Sequence, residues 1–198
     1  MKFLNILIIL FLFSLTSCAT FSNKITFENQ VKLNKNTLSK INGFYETNSV
    51  KSIVKYQYSK PEEIENDTVN RYPLYSTLQT NDGYATGSVV KLENYSTKIE
   101  VQDKSKIVIT YLNKDKIIDK VILKYKLKNG YLYLKNNNFK TKLIPGLCGN
   151  FEVDRTRIGL NSENNLIMNH SHYLYGAILF IIGDTKKSSF AGEYKRKI

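Results

Sequence analysis

The chain after Asp82-Gly83 is a series of short segments separated by turn residues, and this pattern restricts the possible folds more than any other feature. Each segment has the length and alternation of a β-strand, and no interval between them holds the helix of about a dozen residues that joins parallel strands. The sequence therefore predicts an all-β fold built on an antiparallel sheet. The predicted strands lie near Thr86–Leu92, Thr97–Val101, Lys106–Leu112, Ile117–Leu127, Tyr131–Leu134, Phe151–Leu160, Leu166–Tyr173, Ala177–Ile182 and Phe190–Arg196.

The dipeptide Asn129-Gly130 is the strongest local turn signal. A type I′ turn needs positive φ at both central residues, and these two residue types tolerate it. A two-residue loop pairs Leu127 with Leu132 and Lys126 with Tyr133. The face that holds Leu123, Tyr125, Leu127, Leu132 and Leu134 is predicted to be core. The face that holds Lys124, Lys126, Lys128, Tyr131 and Tyr133 is predicted to be a solvated stripe with cation–π support.

Signals for helix are short and precede Asp82. Thr37–Gly43 predicts one helical turn before a first strand at Gly43–Glu46. Ser59 and Glu62 have the spacing of a capping box, and Pro73 opens a turn in which Leu74 and Leu78 share a face. Ala177–Ile182 is apolar without alternation and predicts a strand buried on both faces or one lining a closed structure.

The N-terminus has the layout of a secretory signal, with Lys2 ahead of the apolar run Phe3–Phe13. Leu15-Thr16-Ser17-Cys18 then resembles the lipobox of bacterial lipoproteins. That resemblance implies cleavage before Cys18 and acylation of its thiol. A transmembrane anchor is the alternative, but it needs about 20 apolar residues, and polar residues follow too soon. We expect a signal peptide at 1–17, a lipidated N-terminus and tether at 18–40, and a single β-barrel domain at 41–198.

Charge and cysteine content limit the partners of the mature chain. Lys and Arg number 29 against 17 Asp and Glu, and the lysines are spread along the chain. An exported protein meets little nucleic acid, so weak attraction to anionic lipid explains the charge better than nucleic-acid binding does. The stronger alternative is composition, because Lys, Asn and Ile make up a third of the chain, as an AT-rich genome would impose whatever the function. Cys148 is the only thiol besides Cys18, so no intramolecular disulfide is expected. By analogy with the known sorting rule, Ala19 favours the outer membrane, on the periplasmic face or the cell surface.

The overall layout resembles lipocalin-like lipoproteins. Gly43-Phe44-Tyr45 stands where that family has Gly-x-Trp, and Arg196 where a basic side chain covers the aromatic ring. The chain departs from the family because it has no Trp and no counterpart of the second, Thr-Asp-Tyr-like motif. The resemblance implies an antiparallel up-and-down barrel that binds an apolar or amphiphilic molecule. A β-sandwich with the same strand count remains the alternative.

Two pairs of residues are candidates for ligand binding at the barrel mouth. His170 and His172 alternate on one strand and share a face, and Arg155 and Arg157 share a face on another. Arginines facing inward would hold a carboxylate or phosphate head group, whereas a solvated outer face is the alternative. Two histidines supply only two metal ligands, and nothing nearby completes a set, so no metal or other cofactor is expected.

The chain shows no catalytic motif, and Ser171 points away from the histidines that flank it. We therefore expect a non-enzymatic lipoprotein that binds an apolar or amphiphilic small molecule. The second hypothesis is an envelope structural or protein-interaction lipoprotein. An open interior favours the first and a filled core favours the second.

Overall fold

The computed structural model describes residues 21, 25–27, 29–65, 73–78, 94–136, 139–144, 148–178 and 182–197. Its helical elements are the 3₁₀ helix Leu38–Ile41 and the α-helix α1, Leu74–Leu78. The described residues include no helix with the length and apolarity needed to cross a bilayer. The strands are β1 Gln30–Val31, β2 Gly43–Glu46, β3 Lys51–Tyr56, β4 Glu62–Glu65, β5 Tyr95–Val101, β6 Lys106–Asn113, β7 Lys116–Lys128, β8 Tyr131–Lys135, β9 Phe139–Ile144, β10 Cys148–Asn161, β11 Leu166–Ile178, β12 Ile182–Tyr194 and β13 Arg196–Lys197.

All thirteen strands belong to one antiparallel sheet that curls and meets itself. Strand β12 pairs with β11 and β3, and after Lys195 the chain continues as β13, which pairs with β2. Strand β2 in turn pairs with β5, which leads through β6, β7 and β8 to β10. With β12 and β13 taken as one interrupted strand, the ring is β2, β5, β6, β7, β8, β10, β11 and β12–β13. The predicted all-β antiparallel barrel is confirmed, and the two separate sheets of a sandwich are not formed.

The barrel interior contains one apolar cluster. Tyr45, Tyr194 and Phe190 are its largest fully buried side chains. Ile99, Ile107, Ile109, Leu123, Tyr125, Leu132, Leu134, Ile158, Leu160, Leu166 and Met168 are buried with them. Leu123, Tyr125 and Leu134, whose face the sequence predicts as core, are thus packed among large neighbours.

Arg196 and Tyr45 close the ring of strands where β13 meets β2. The guanidinium lies 5.4 Å from the centre of the Tyr45 ring and donates to the Tyr45 hydroxyl at 2.8 Å and to the carbonyl of Asn42 at 2.9 Å. A Cβ at Gly43 would lie 3.1 Å from this guanidinium, so the absence of a side chain there makes room for it. The contact implied by the resemblance to lipocalin-like proteins is therefore present.

The hairpin at Asn129-Gly130 has the predicted register, with Leu127 opposite Leu132 and Lys126 opposite Tyr133. Asn129 has φ 53° and Gly130 φ 81°, as a type I′ turn requires. The predicted solvated stripe is wrong at Tyr131, which is only 4% exposed. It is covered because Arg157 lies over its ring and the residues before Leu33 pass alongside the turn, where the Leu33 amide donates to the Gly130 carbonyl.

The described part of the segment predicted as a tether, residues 18–40, packs against the barrel, and Leu33 joins the interior apolar cluster. Ile25 and Phe27 are buried in a second apolar cluster with Ile53, Ile167 and Ala191 of the sheet. Strand β1 also pairs with the end of β10. A free tether therefore does not extend to residue 40. The signal peptide 1–17 and Cys18 lie outside the described residues.

The two predicted helical turns at Leu38–Ile41 and at Leu74–Leu78 are confirmed. The capping box is wrong, because Ser59 closes a turn by accepting from the Tyr56 amide at 3.0 Å, and Glu62 begins strand β4. Pairing of β4 with β3 outweighs the local helix signal.

The single strand predicted at Ala177–Ile182 is also wrong. Strand β11 ends at Ile178, strand β12 begins at Ile182, and these two residues pair as the end of a hairpin. The prediction missed the reversal because this apolar run contains no turn residue. The strand predicted at Thr86–Leu92 lies outside the described residues.

Candidate functional site

Strands β10 and β11 form a long hairpin that continues beyond the apolar core. Ile158 and its partner Met168 are fully buried in that core. Because side chains alternate between the two faces of a strand, Thr156 and its partner His170 share the inward face. Asp154 and its partner His172 follow on the same face. The interior therefore changes from apolar to ionisable along these two strands.

Glu152 lies two residues before Asp154 and therefore on the same face. Four inward side chains form what we call the acid–histidine cluster: Glu152, Asp154, His170 and His172. Asp154 lies between the histidines, with its Oδ1 2.8 Å from Nδ1 of His172 and 3.4 Å from Nε2 of His170. Glu152 Oε1 lies 3.8 Å from the same His172 nitrogen. The histidine side chains are 8–10% exposed and that of Glu152 is 29% exposed, so solvent reaches the cluster from the Glu152 side.

The electrostatics of the cluster favour an ionised Asp154. Burial alone would raise the pKa of this carboxyl, but hydrogen bonds from His170 and His172 and the charge on both rings outweigh it. The net effect holds the pKa of Asp154 well below its usual range. Asp154 therefore accepts hydrogen bonds as a carboxylate, and it contributes a fixed negative charge inside the barrel.

A chain of hydrogen bonds fixes the orientation of the His170 ring. Its Nδ1 lies 3.0 Å from Oγ1 of Thr156, which accepts a hydrogen bond from the Asn136 amide at 3.2 Å. Asn136 and Thr156 are themselves buried. With Nδ1 engaged in this way, Nε2 is the ring nitrogen that faces Asp154.

No metal was expected, because two histidines supply only two ligands, but the premise that nothing nearby completes a ligand set is wrong. Glu152, Asp154 and His172 offer three ligand atoms within 4.8 Å of one another. Glu152 and Asp154 were not predicted, because they lie on a different strand from the histidines and only the register between the two strands brings them together. The signal was present: Leu160 and Leu166 flank the turn, and pairing them places Asp154 opposite His172.

The arginine pair is on the other face of β10. Arg155 is exposed, and Arg157 is buried on the outside of the barrel. The Arg157 guanidinium lies 4.5 Å from the Phe21 ring centre and 4.1 Å from that of Tyr131. It donates to Asn169 Oδ1 at 3.2 Å and to the Tyr133 hydroxyl at 3.1 Å. Neither arginine joins the histidines: of the two candidate pairs only the histidines face inward, and the arginines lie on the outer face that was the alternative for them.

Arg157 holds the N-terminal segment against the sheet, and its loss is expected to destabilise the fold. Arg157→Ala should lower the free energy of unfolding by about 1–3 kcal/mol, because hydrogen bonds from a buried charged group and ring contacts are lost. Arg155→Ala is the matched control on the same strand and face, and it should cost within about 0.5 kcal/mol. Urea unfolding followed by circular dichroism measures both. Equal costs would contradict the fastening role of Arg157.

Ser171 lies between the two histidines in sequence and on the opposite face in space, where it pairs with Arg155 and Ser189. The prediction that it points away from both imidazoles is confirmed. The turn residues Pro145, Gly146 and Gly149 predict a loop with a buried Cys148, whereas strand β10 begins at Cys148. The predicted burial of its side chain lies outside what the structure describes.

A second concavity lies on the outside of the barrel, between the N-terminal segment and strands β3 and β4. Its volume is about 630 Å³, and Phe27, Ile53 and Pro61 contribute apolar surface to it. Lys51 and Glu63, paired at 3.1 Å, stand at its edge with their side chains largely exposed. Its described lining has two carboxylates, Glu63 and Glu193, but no imidazole, which separates its chemistry from that of the acid–histidine cluster.

A scan of protein-family models, a search of curated proteins and a search of solved structures each return no match to this chain. The function of the chain is therefore inferred from the geometry of the side chains described above.

Proposed function

We propose that this chain is a lipid-anchored, non-enzymatic protein of the bacterial envelope whose barrel binds an amphiphilic small molecule through the acid–histidine cluster. The observation that carries the proposal is the change of polarity along the inward face of β10 and β11. A closed ring of about eight strands either fills with side chains or holds one small ligand. Here the apolar cluster fills part of the interior, so we place the proposed site beyond it, where the inward side chains of β10 and β11 are polar.

The barrel is open to solvent on the side of the cluster. Val54 and its partner Phe190 are buried in the core. Tyr56, two residues further along the same inward face, is 52% exposed. Leu174, the partner of Glu152, is half-buried. An amphiphile bound here would pack its apolar part against Leu174 and the Tyr56 ring, with its polar group on the cluster.

The cluster selects the charge of that polar group. The two carboxylates attract positive charge and accept hydrogen bonds, whereas the arginines that suit an anion lie on the outer face. We therefore propose a cationic head group, such as an amine. A carboxylate or phosphate head group would need inward-facing arginines, and both arginines lie on the outer face.

Two fluorescent probes with the same alkyl chain and fluorophore, one ending in an amine and the other in a carboxylate, test the proposal. Titrated into the full chain in detergent, the amine probe should saturate and bind at least ~10-fold more tightly, about 1.4 kcal/mol. Asp154→Asn should remove that preference. Preferential binding of the carboxylate probe would contradict the proposed head group.

Two controls locate the binding on the protein. Arg155→Ala should leave the affinity unchanged, because that side chain is exposed on the outer face. Glu63→Gln removes one of the two carboxylates that line the outer groove, Glu63 and Glu193, and should also have no effect. If Glu63→Gln weakens the amine probe and Asp154→Asn does not, the outer groove is the site.

A second candidate function is protein interaction in the envelope. The observation in its favour is a set of large apolar side chains exposed on β7, namely Ile117, Ile118 and Ile122, which are 59%, 49% and 57% exposed. Lysines alternate with them along the strand. If neither probe shows saturable binding, this outer surface becomes the working surface of the protein.

A further inference from the structure

We propose that the acid–histidine cluster is a binding site for one divalent transition-metal ion, with Glu152, Asp154 and His172 as ligands and His170 as a fourth. The inference deepens the proposed function, because it assumes that the cluster is a binding site and names a metal cation as a ligand. Three observations support it: the distances between the ligand atoms, the orientation of the His170 ring, and the exposure of Glu152 to solvent.

The ligand atoms of Glu152, Asp154 and His172 lie within 4.8 Å of one another, separations that one ion can bridge, and His170 adjoins them through Asp154. Oδ1 of Asp154 is 2.8 Å from Nδ1 of His172 and 3.4 Å from Nε2 of His170, and Oε1 of Glu152 is 3.8 Å from the His172 nitrogen. Metal–ligand bonds of about 2.0–2.2 Å place neighbouring ligand atoms about 3–3.5 Å apart. Small side-chain rotations therefore suffice to bring them around a single ion.

The donor types indicate which metals fit. Imidazole nitrogen combined with carboxylate oxygen suits zinc, copper, nickel and ferrous iron. Calcium and magnesium prefer oxygen ligands alone. The two carboxylates offset the charge of a divalent ion, so the ion is held without leaving a net charge in the barrel.

The surroundings of His170 are those of a preoriented ligand. Metal-bound histidines commonly use the second ring nitrogen for a hydrogen bond that fixes the ring. Here Nδ1 of His170 lies against Thr156, which Asn136 holds from the other side. This leaves Nε2 directed at the Asp154 carboxylate. Glu152, with 29% of its side chain exposed, gives an ion access from solvent.

The composition makes the test clean, because the chain has only two histidines and both are in the cluster. The full chain, purified in detergent without a histidine tag and stripped with a chelator, is titrated with Zn²⁺ by calorimetry and with Co²⁺ by visible absorption. We expect one bound ion per chain and a Co²⁺ spectrum with nitrogen ligands. His172→Ala and Glu152→Gln should each weaken the affinity by at least ~10-fold.

Controls guard against binding elsewhere and against misfolding. Glu100→Gln removes an exposed carboxylate paired with Lys98 on β5, and Cys148→Ser removes a thiol; both should bind as the wild type does. Glu152→Gln changes the most exposed ligand, so its far-ultraviolet spectrum should stay native. Binding that survives both cluster substitutions, or a folded wild type that takes up no saturating ion, overturns the metal site.

The amine probe distinguishes failure of this inference from failure of the proposed function. Zn²⁺ should displace the probe from the wild type, because both ligands use the same carboxylates. Probe binding without any metal binding would overturn the metal site and leave the proposed function standing. Absence of both would overturn the two together.

Discussion

Replacing Leu132 by alanine is expected to lower the free energy of unfolding by about 2–5 kcal/mol. Leu132 has no exposed surface and contacts the core from the middle of the barrel wall. It pairs with Leu127 across the hairpin and with Ile158 on the neighbouring strand. Neighbours fixed by sheet hydrogen bonds cannot collapse fully into the space that alanine leaves. Urea unfolding monitored by far-ultraviolet circular dichroism gives the value.

Lys126 is the matched control for Leu132, since it lies in the same hairpin with its side chain exposed on the opposite face. Lys126→Ala should change the free energy of unfolding by no more than about 0.5 kcal/mol. The comparison depends on register, because a slip of one residue moves every side chain of a strand to the other face. Equal losses in the two variants would therefore contradict the pairing through Asn129-Gly130.

The sequence predicted the hairpin correctly because its determinants are local. Two residues set the turn, and a strict alternation of leucine and lysine marks the faces. The same reasoning failed at β3, which no prediction included. Ile53 and Val54 are both buried, Ile53 under the N-terminal segment and Val54 in the barrel core. A strand covered on both faces loses its alternation, and the cover comes from residues far along the chain.

The candidate site, like the fold, was predicted only where its signal is local. The two histidines were found as a pair because their alternation is visible within one strand. Their partners Asp154 and Glu152 lie on the adjacent strand. The arginines that follow these acids, Arg155 and Arg157, were candidates for the inward face, with the outer face as the alternative. Only the register between strands separates the two faces, and register is a non-local property. The apolar residues beside the turn, Leu160 and Leu166, contained that information.

The position of the N-terminal segment connects the barrel to the expected lipid anchor. Phe21 contacts Tyr133 at 5.5 Å between ring centres and stacks under Arg157 on the outer face. Cys18 precedes it by only three residues, a span of about 11 Å at full extension. If Cys18 carries the lipid, this outer face must stay close to the membrane surface. The acid–histidine cluster lies on the inward face of the same strands, so the contact between the outer face and the membrane would not cover it.

Replacing Cys18 by alanine is expected to abolish lipidation completely, because the acyl acceptor is lost and the lipobox cysteine no longer marks the cleavage site. Metabolic labelling with a clickable fatty acid, read by in-gel fluorescence, measures this. Cys148→Ala is the matched control and should label fully, since it keeps the lipobox intact. Full labelling of the Cys18→Ala chain would contradict the anchor.

Fractionation of the labelled wild type tests the location of the protein. Two or more acyl chains hold a protein stably on a bilayer, whereas one chain holds it only marginally. The labelled wild type should therefore sediment with the outer membrane and resist extraction by high salt. Recovery of the labelled wild type in the inner-membrane fraction would overturn the sorting inferred from Ala19. Salt extraction of the labelled protein would instead show that electrostatic attraction of its lysines, which salt screens, holds it to the membrane.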